Sequence, residues 1–339
     1  MMKKITFLLA TIMFFMFTAS DLYAQSDEPL AEQLNERFKS EPINLGILVR
    51  TIGNYSFEDD RFLNGRQFGL ANARLRFRGT VDHGFTYDMH MEFNRQVSIL
   101  DLNVGYRFSD KAHFIAGAQK PEIGLDLSMG PGNTALISRA RLIGTMLNSR
   151  EIGVSLRGGL GNTDYTVGIF NGYGLNRSND NNFMYLAKLG YTIQSETSRI
   201  YLGGNAALNT SMDEVVGNTG LISREDRWIY GGYIDYDSNT FFGALEFLET
   251  TFERLGFPGD ETITGFYATA GYKVSERNEI LARWDHISFD TDESRGSERV
   301  ILGWNHYATS LVKIQLNLIT EFDGNNEHYG VAGTFQFQL

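Results

Sequence analysis

Residues 311–322 read LVKIQLNLITEF, in which Val312, Ile314, Leu316, Leu318 and Phe322 alternate with Lys313, Gln315, Asn317 and Glu321. A strand through this stretch has one oily face and one polar face. In a water-soluble sandwich such a face would meet a second sheet, and the strands would be about five or six residues long. Alternation sustained over about ten residues is instead the length that crosses a membrane at a tilt.

The pattern recurs along the chain. TYDMHMEF sets Tyr87, Met89, Met91 and Phe93 against Asp88, His90 and Glu92, and ILDLNVGYRF sets Leu100, Leu102, Val104, Tyr106 and Phe108 against Asp101, Asn103 and Arg107. In the final run, YGVAGTFQFQL, the residues Tyr329, Val331, Phe335, Phe337 and Leu339 oppose Thr334, Gln336 and Gln338. About sixteen such strands can be placed, an even number as single-chain bacterial barrels require.

The connections alternate in length. Short turns fall at Asp82 to Gly84, Ser109 to Lys111, Asp237 to Thr240, Ser275 to Asn278 and Ala308 to Ser310. Longer polar loops fall at Ser56 to Gln67, Lys120 to Ser149, Gly172 to Asn182, Thr210 to Arg224 and Phe252 to Thr262. Short periplasmic turns, long extracellular loops and both termini in the periplasm are the expected arrangement. The loop from Lys120, after the fifth strand, is far longer than the about 12 to 15 residues beyond which loops are usually functional, and folding inward would narrow the lumen. Trp228, Tyr236, Tyr272, Trp284 and Trp304 are placed near strand ends, as interfacial girdles would be.

The N-terminus supplies an address. Lys3 and Lys4 precede an apolar run from Ile5 to Phe17, followed by Ala19, Ser20 and Ala24, so residues 1–24 read as a secretory signal peptide. Leu30, Leu34 and Phe38 have helical spacing, so residues 25–42 are expected to form a short periplasmic segment and residues 43–339 the barrel. Losing residues 1–24 removes Lys3, Lys4 and Asp21 and moves the formal charge from −11 to −12. So acidic a chain argues against nucleic acid as a partner, and the absence of cysteine excludes disulfides and thiolate metal sites.

Against that acidity stands ANARLRFRGT, with Arg74, Arg76 and Arg78 on alternate positions between Ala73, Leu75 and Phe77. An arginine facing lipid near the midplane costs about 2 to 4 kcal/mol, so the three face the lumen. A one-residue slip would expose all of them, which fixes the register. At roughly 3.3 Å per residue and a tilt near 40°, they span roughly 10 Å of pore axis. Such a row can offer bidentate hydrogen bonds to a passing phosphate or carboxylate. It can equally be neutralised by lumenal Asp88, Glu92, Asp101 and Glu151. The acids Glu58 to Asp60, Asp213, Glu214, Asp290, Asp292 and Glu293 fall in loops, beyond a Debye length of about 8 to 10 Å from a constriction.

GLANARLRFRGTVDHGFTYDMHMEF, GAQKPEIGLD, SRARLIGTMLNSREIGVSLRGGL and DYTVGIFNGYG, within residues 66–175, resemble in order the motifs of the phosphate-selective porin O and P family. The resemblance implies a 16-stranded, all-β transmembrane barrel in the outer membrane of a Gram-negative bacterium, usually a homotrimer. It would admit small hydrophilic solutes, anions such as phosphate among them. Arg74, Arg76 and Arg78 match the family's Arg-rich second strand, Lys120 its glycine-x-x-Lys-Pro lysine, and Arg139 and Arg141 its Arg-containing block before strand six. With Arg107 and Arg157 they form the candidate pore-lining set, and Glu122 and Asp126 beside Lys120 make the local field mixed.

Rival classes are an outer-membrane hydrolase and a closed structural or receptor barrel. His286 and Ser288, with Asp290 nearby, resemble a barrel-lipase constellation, but their parity puts them on the lipid side with Ile280, Ala282 and Trp284. No His-Glu-x-x-His or P-loop pattern occurs, so no metal, cofactor or enzymatic activity is expected.

Overall fold

The computed structural model describes Phe38 and residues 43–57, 62–94, 96–175, 179–324 and 326–339. The expected signal peptide, most of the 25–42 segment and Glu58 to Asp60 lie outside them. The described strands are β1 (Asn44–Ser56), β2 (Arg66–Val81), β3 (Phe85–Glu92), β4 (Ser98–Ser109), β5 (Ala112–Gln119), β6 (Glu151–Leu160), β7 (Thr163–Phe170) and β8 (Met184–Gln194). There follow β9 (Ser198–Asn209), β10 (Ile222–Ser238), β11 (Phe241–Arg254), β12 (Asp260–Ser275), β13 (Asn278–Phe289), β14 (Ser297–Tyr307), β15 (Val312–Asp323) and β16 (Asn326–Gln338). Each pairs antiparallel with its sequence neighbour, and β1 pairs with β16 from Leu48↔Gln338 to Ser56↔Gly330, so these sixteen strands close. A two-residue strand, Glu214–Val215, adds to the start of β10. Closure leaves the wall without an edge, the condition for a sheet to sit in hydrocarbon.

Burial follows the alternation. In β15, Lys313, Gln315, Asn317 and Ile319 are buried, and Val312, Ile314, Leu316 and Leu318 between them are not. Leu102, Val104, Phe108, Leu245, Trp228 and Leu302 are all exposed on the outside, as a lipid-facing surface requires. His286 and Ser288 share that outer phase with the exposed Ile280, Ala282 and Trp284.

Two boundaries differ from expectation. Phe252 to Thr262 is largely strand, because β11 runs to Arg254 and β12 starts at Asp260, where Arg254 pairs with Glu261 at 3.0 Å. Trp284 lies in mid-strand and packs edge-on against Phe266 at 4.9 Å, so it belongs to the outer wall rather than to a girdle.

Residues 120–150, between β5 and β6, reach strands on the far side of the barrel. They carry two short helices, α1 (Leu125–Ser128) and α2 (Arg141–Met146). The chain of α2 packs against β11, β12 and β13. Ile123, Leu127, Leu142, Ile143, Met146 and Leu147 join inward-facing Phe170, Met184, Leu186, Ile229, Leu248, Ile263 and Ile287 in one buried cluster. Leu136 and Ile137 join Leu281, Ile301 and Ile319 in a second. Two wall glycines permit this approach: a Cβ on Gly265 would lie 2.8 Å from Leu142 Cβ, and one on Gly303 would lie 2.7 Å from Leu136 Cδ2.

Polar side chains of the wall satisfy the connection's main chain. Glu246 accepts from Leu125 N and Asp126 N, both at 2.9 Å, and Asn205 accepts from Gly124 N. Arg50 donates to Pro131 O and Ile137 O, Lys313 to Gly132 O and Thr134 O, and Asn305 to Ala135 O. Asn317 accepts from Ile137 N at 2.9 Å. Irregular backbone at membrane depth is tolerated where protein satisfies it, and here it is satisfied group by group.

Candidate functional site: a cation-lined passage

The register of β2 on β3 sets Arg74 opposite Glu92, Arg76 opposite His90 and Arg78 opposite Asp88. Arg74 Nε donates to Glu92 Oε2 at 2.5 Å, straight across the ladder. Arg76 reaches diagonally to Asp88, with Nε donating to Oδ1 at 2.8 Å and the terminal nitrogen to Oδ2. That diagonal takes the carboxylate standing opposite Arg78, and Arg78 has no hydrogen bond or ion pair among the described residues.

Two of the four expected neutralisers therefore act on the arginine row, and two do not. Asp101 belongs to His90, whose Nδ1 lies 2.8 Å from Oδ2, and to Arg150, whose Nε lies 2.7 Å from Oδ1. Glu151 accepts from the main-chain nitrogens of Gly172 and Gly174 at 3.1 and 2.9 Å and from Asn148, which ties an outer loop down. Glu214, expected as an exposed loop acid, is buried and pairs with Arg227 at 2.9 Å.

The other candidates fall into three kinds. Arg157 and Arg141 are carboxylate-bound: Arg157 donates to Glu122 at 2.9 Å and Gln119 at 2.8 Å, and Arg141 pairs with Glu321. Lys120 is carbonyl-bound, its ammonium donating to Leu127 O at 2.7 Å and Met129 O at 3.0 Å at the C-terminal end of α1. Arg139 joins it there, donating to Asp126 O and, at 2.6 Å, to Met129 O, with the Asp126 carboxylate farther off at 3.9 Å. Arg107, like Arg78, has no partner among the described residues and is exposed.

Burial shifts the groups on the connection. Burial and then the Arg150 and Arg139 guanidiniums push the Lys120 ammonium down to about 7. Burial also lowers Arg139, with Arg150 and Arg74 adding to the effect. At Glu122 burial acts upward, but Arg157 and Lys188 outweigh it and hold the carboxyl below its usual range. Asp126 is almost fully buried, 1% exposed, and accepts from Ala140 N at 2.9 Å, so it knots the connection rather than mixing charge into the passage.

These side chains border three neighbouring spaces that share lining residues. A cavity of about 510 Å³ is lined by Arg74, Lys120, Arg139, Arg141, Arg150 and Arg299, with no acidic side chain in its lining. Past Arg74 and Pro131 it meets a space of about 210 Å³ lined by Arg74, Arg76, Arg78 and His90, again without an acidic side chain. A third space, about 190 Å³ and reached past Lys120 and Arg150, is mixed: Asp88, Asp101 and Glu122 face Arg76, Lys120, Arg150 and Arg157.

Arg150 and Arg299 were not among the sequence candidates. Arg299 is held by Asp285 at 2.5 Å and donates to Arg139 O at 3.0 Å from β14, far along the chain from the arginine row. Its lumenal parity was readable; its meeting with the connection was not.

A closed sixteen-stranded barrel, oily outside and crossed inside by the connection after β5, is the architecture of an outer-membrane porin. The family described as phosphate-selective porin O and P matches residues 50–198, which hold the arginine row and the connection. No curated relative matches the sequence. Among solved structures, the chain is similar to an anion-selective porin from Comamonas acidovorans, with 14% identity, a TM-score of 0.67, and 88% of this chain and 99% of that chain covered. It is similar to the outer membrane channel DcaP of Acinetobacter baumannii at 12% identity and a TM-score of 0.63, covering 88% of this chain and 97% of that one. It is also similar to OmpT of Vibrio cholerae in a trimer form, at 12% identity and a TM-score of 0.60, covering 88% and 99%. The protein is thus a barrel of the Gram-negative outer-membrane porin type, with residues 50–198 matching that family.

Proposed function

We propose that this porin is a passive channel for small hydrophilic solutes that favours anions, phosphate and carboxylates among them. The observation that carries the reading is the run of cations from Arg139, Lys120 and Arg74 through Arg76 to Arg78, bordering two successive spaces without an acidic side chain. Cationic linings are how anion pores select. The connection after β5 narrows the lumen to a lane along β1 to β6, and solutes pass between it and the arginine row. His286 and Ser288 take no part: they stand on the outer face, where His286 lies 3.4 Å from Glu298.

Reconstitution in a planar bilayer under a salt gradient tests the reading. Open channels with a reversal potential of anion-selective sign are expected. A cation-selective sign overturns the anion preference, and no conductance from folded protein returns the closed-barrel reading. Assembly as a homotrimer is part of the proposal, supported by the trimer form of a structural neighbour. Light scattering in detergent at three times the chain mass is the expected result.

A further inference from the structure

The outer wall carries an open apolar groove. Ala270 and Ala282 are register partners on β12 and β13, and they floor a space of about 510 Å³ whose walls include Phe241, Tyr272, Trp304 and Leu318. That volume lies within the roughly 300 to 1,000 Å³ of ligand-sized pockets. All six side chains stand in the lipid-facing phase, and Phe241, Tyr272 and Trp304 lie close to the short turns at 239–240, 276–277 and 308–311. The groove therefore opens into the periplasmic half of the hydrocarbon, where water does not fill it.

A cation stands at its periplasmic end. Arg277 is exposed on the turn joining β12 to β13, and its side chain has no hydrogen bond or ion pair among the described residues. Its main-chain oxygen accepts from Tyr307 N at 2.9 Å, next to His306, whose ring stacks on Trp304 at 5.7 Å. Glu276 and Glu279 are the nearby acids on these elements; Glu279 faces the lumen, where it accepts from Tyr307 and Asn305. An apolar slot, an aromatic rim and an unpaired guanidinium thus follow one another outward from the membrane core, in the order of acyl chain, interface and headgroup.

We propose that this groove holds one acyl chain of a phospholipid of the periplasmic leaflet, with the lipid phosphate on Arg277. The site is independent of what passes through the lumen. It is tested on the full-length protein reconstituted with phosphatidylglycerol and phosphatidylethanolamine, exchanged into detergent and weighed by native mass spectrometry. One retained phospholipid per chain is expected. The double variant Ala270→Leu/Ala282→Leu fills the groove from the lipid side, where leucine is at home, so the barrel should fold and show its usual heat-modifiable gel mobility. It should retain about tenfold less lipid, a change of about 1.4 kcal/mol. Arg277→Gln should lose the retained phosphatidylglycerol first. Complete loss of lipid from the unaltered protein, or equal retention by the double variant, overturns the site. So does a double variant that keeps its lipid but falls apart into single chains, since the groove would then belong to a contact between copies.

Discussion

The two sides of the lumen are built on opposite principles. Along β1 to β6 most inward positions are polar, and Arg74, Arg76, Arg78, Asp88, Asp101 and Arg157 border open space. Along β8 to β13 many inward positions are apolar, and Met184, Leu186, Ile229, Leu248, Ile263 and Ile287 are closed over by the connection as in a soluble core. A barrel wall of one geometry can therefore serve as the bank of a channel or as half of a packed core. Which one it becomes depends on what the inward phase offers, water contacts or dispersion contacts. The difference assigns separate duties: the apolar side fixes where the connection lies, and the polar side sets the charge a solute meets.

Charging the apolar side should have the largest effect. Leu142, on α2, is 1% exposed and packs on Gly265. Leu142→Asp would put a carboxylate without a partner among aliphatic groups, at a cost on the order of 3 to 5 kcal/mol to the seat of the connection. The strand ladders do not depend on that seat, so the barrel should still show heat-modifiable mobility. Single-channel conductance should rise and ion selectivity should fall. Unchanged conductance from a folded Leu142→Asp barrel would mean that the connection does not narrow the lumen, and the contrast between the sides would fail.

On the polar side the effects are smaller and depend on how each cation is held. Arg76→Gln leaves Asp88 without its guanidinium, which amounts to an added negative charge in the lane. A unit charge about 8 Å away in water is worth about 0.5 kcal/mol, so the anion-to-cation permeability ratio should fall roughly twofold or more. Adding Asp88→Asn should bring the ratio back, because the pair as a whole is neutral. Lys120→Met should lower the ratio by a similar roughly twofold factor. There no single second change can restore it, because the partners of Lys120 are the carbonyls of Leu127 and Met129. Reversal potentials of the three variants check this, and an Arg76→Gln/Asp88→Asn variant as altered as Arg76→Gln would show that the pair is not neutral to a passing ion.

The wall was readable from sequence and the meeting of distant pieces was not. Alternation placed Arg74, Arg76 and Arg78 inward because a guanidinium in hydrocarbon is costly, and the cross-strand register then put Glu92 and Asp88 within reach. Spacing along one strand could not reveal that Arg76 would take the carboxylate opposite Arg78, since that depends on side-chain reach across the ladder. The apolar side did leave a signal. Ile319 stands in the polar phase of LVKIQLNLITEF, and Ile229, Leu248, Ile263 and Ile287 likewise face inward, where a water-filled lumen has no use for them. Such residues point to a cover, and the length of the connection after β5 supplies one. Glu214 reads as a solvated loop acid and Asp126 as a charge mixed into the field of Lys120, until their buried partners, Arg227 for one and Ala140 N for the other, are seen.

The smallest expected effect comes from pH. Lys120 is cationic below its value of about 7 and loses its charge as the pH rises through it, so the lane should carry one more positive charge at pH 6 than at pH 8. Glu122, held below the ordinary carboxylate range by Arg157 and Lys188, stays ionised across that interval and does not offset the change. The guanidiniums stay charged throughout. Anion preference should therefore decline by less than about twofold between pH 6 and pH 8. In Lys120→Met the same interval should produce no such decline. A decline that survives in Lys120→Met would move the titration to another group of the lane.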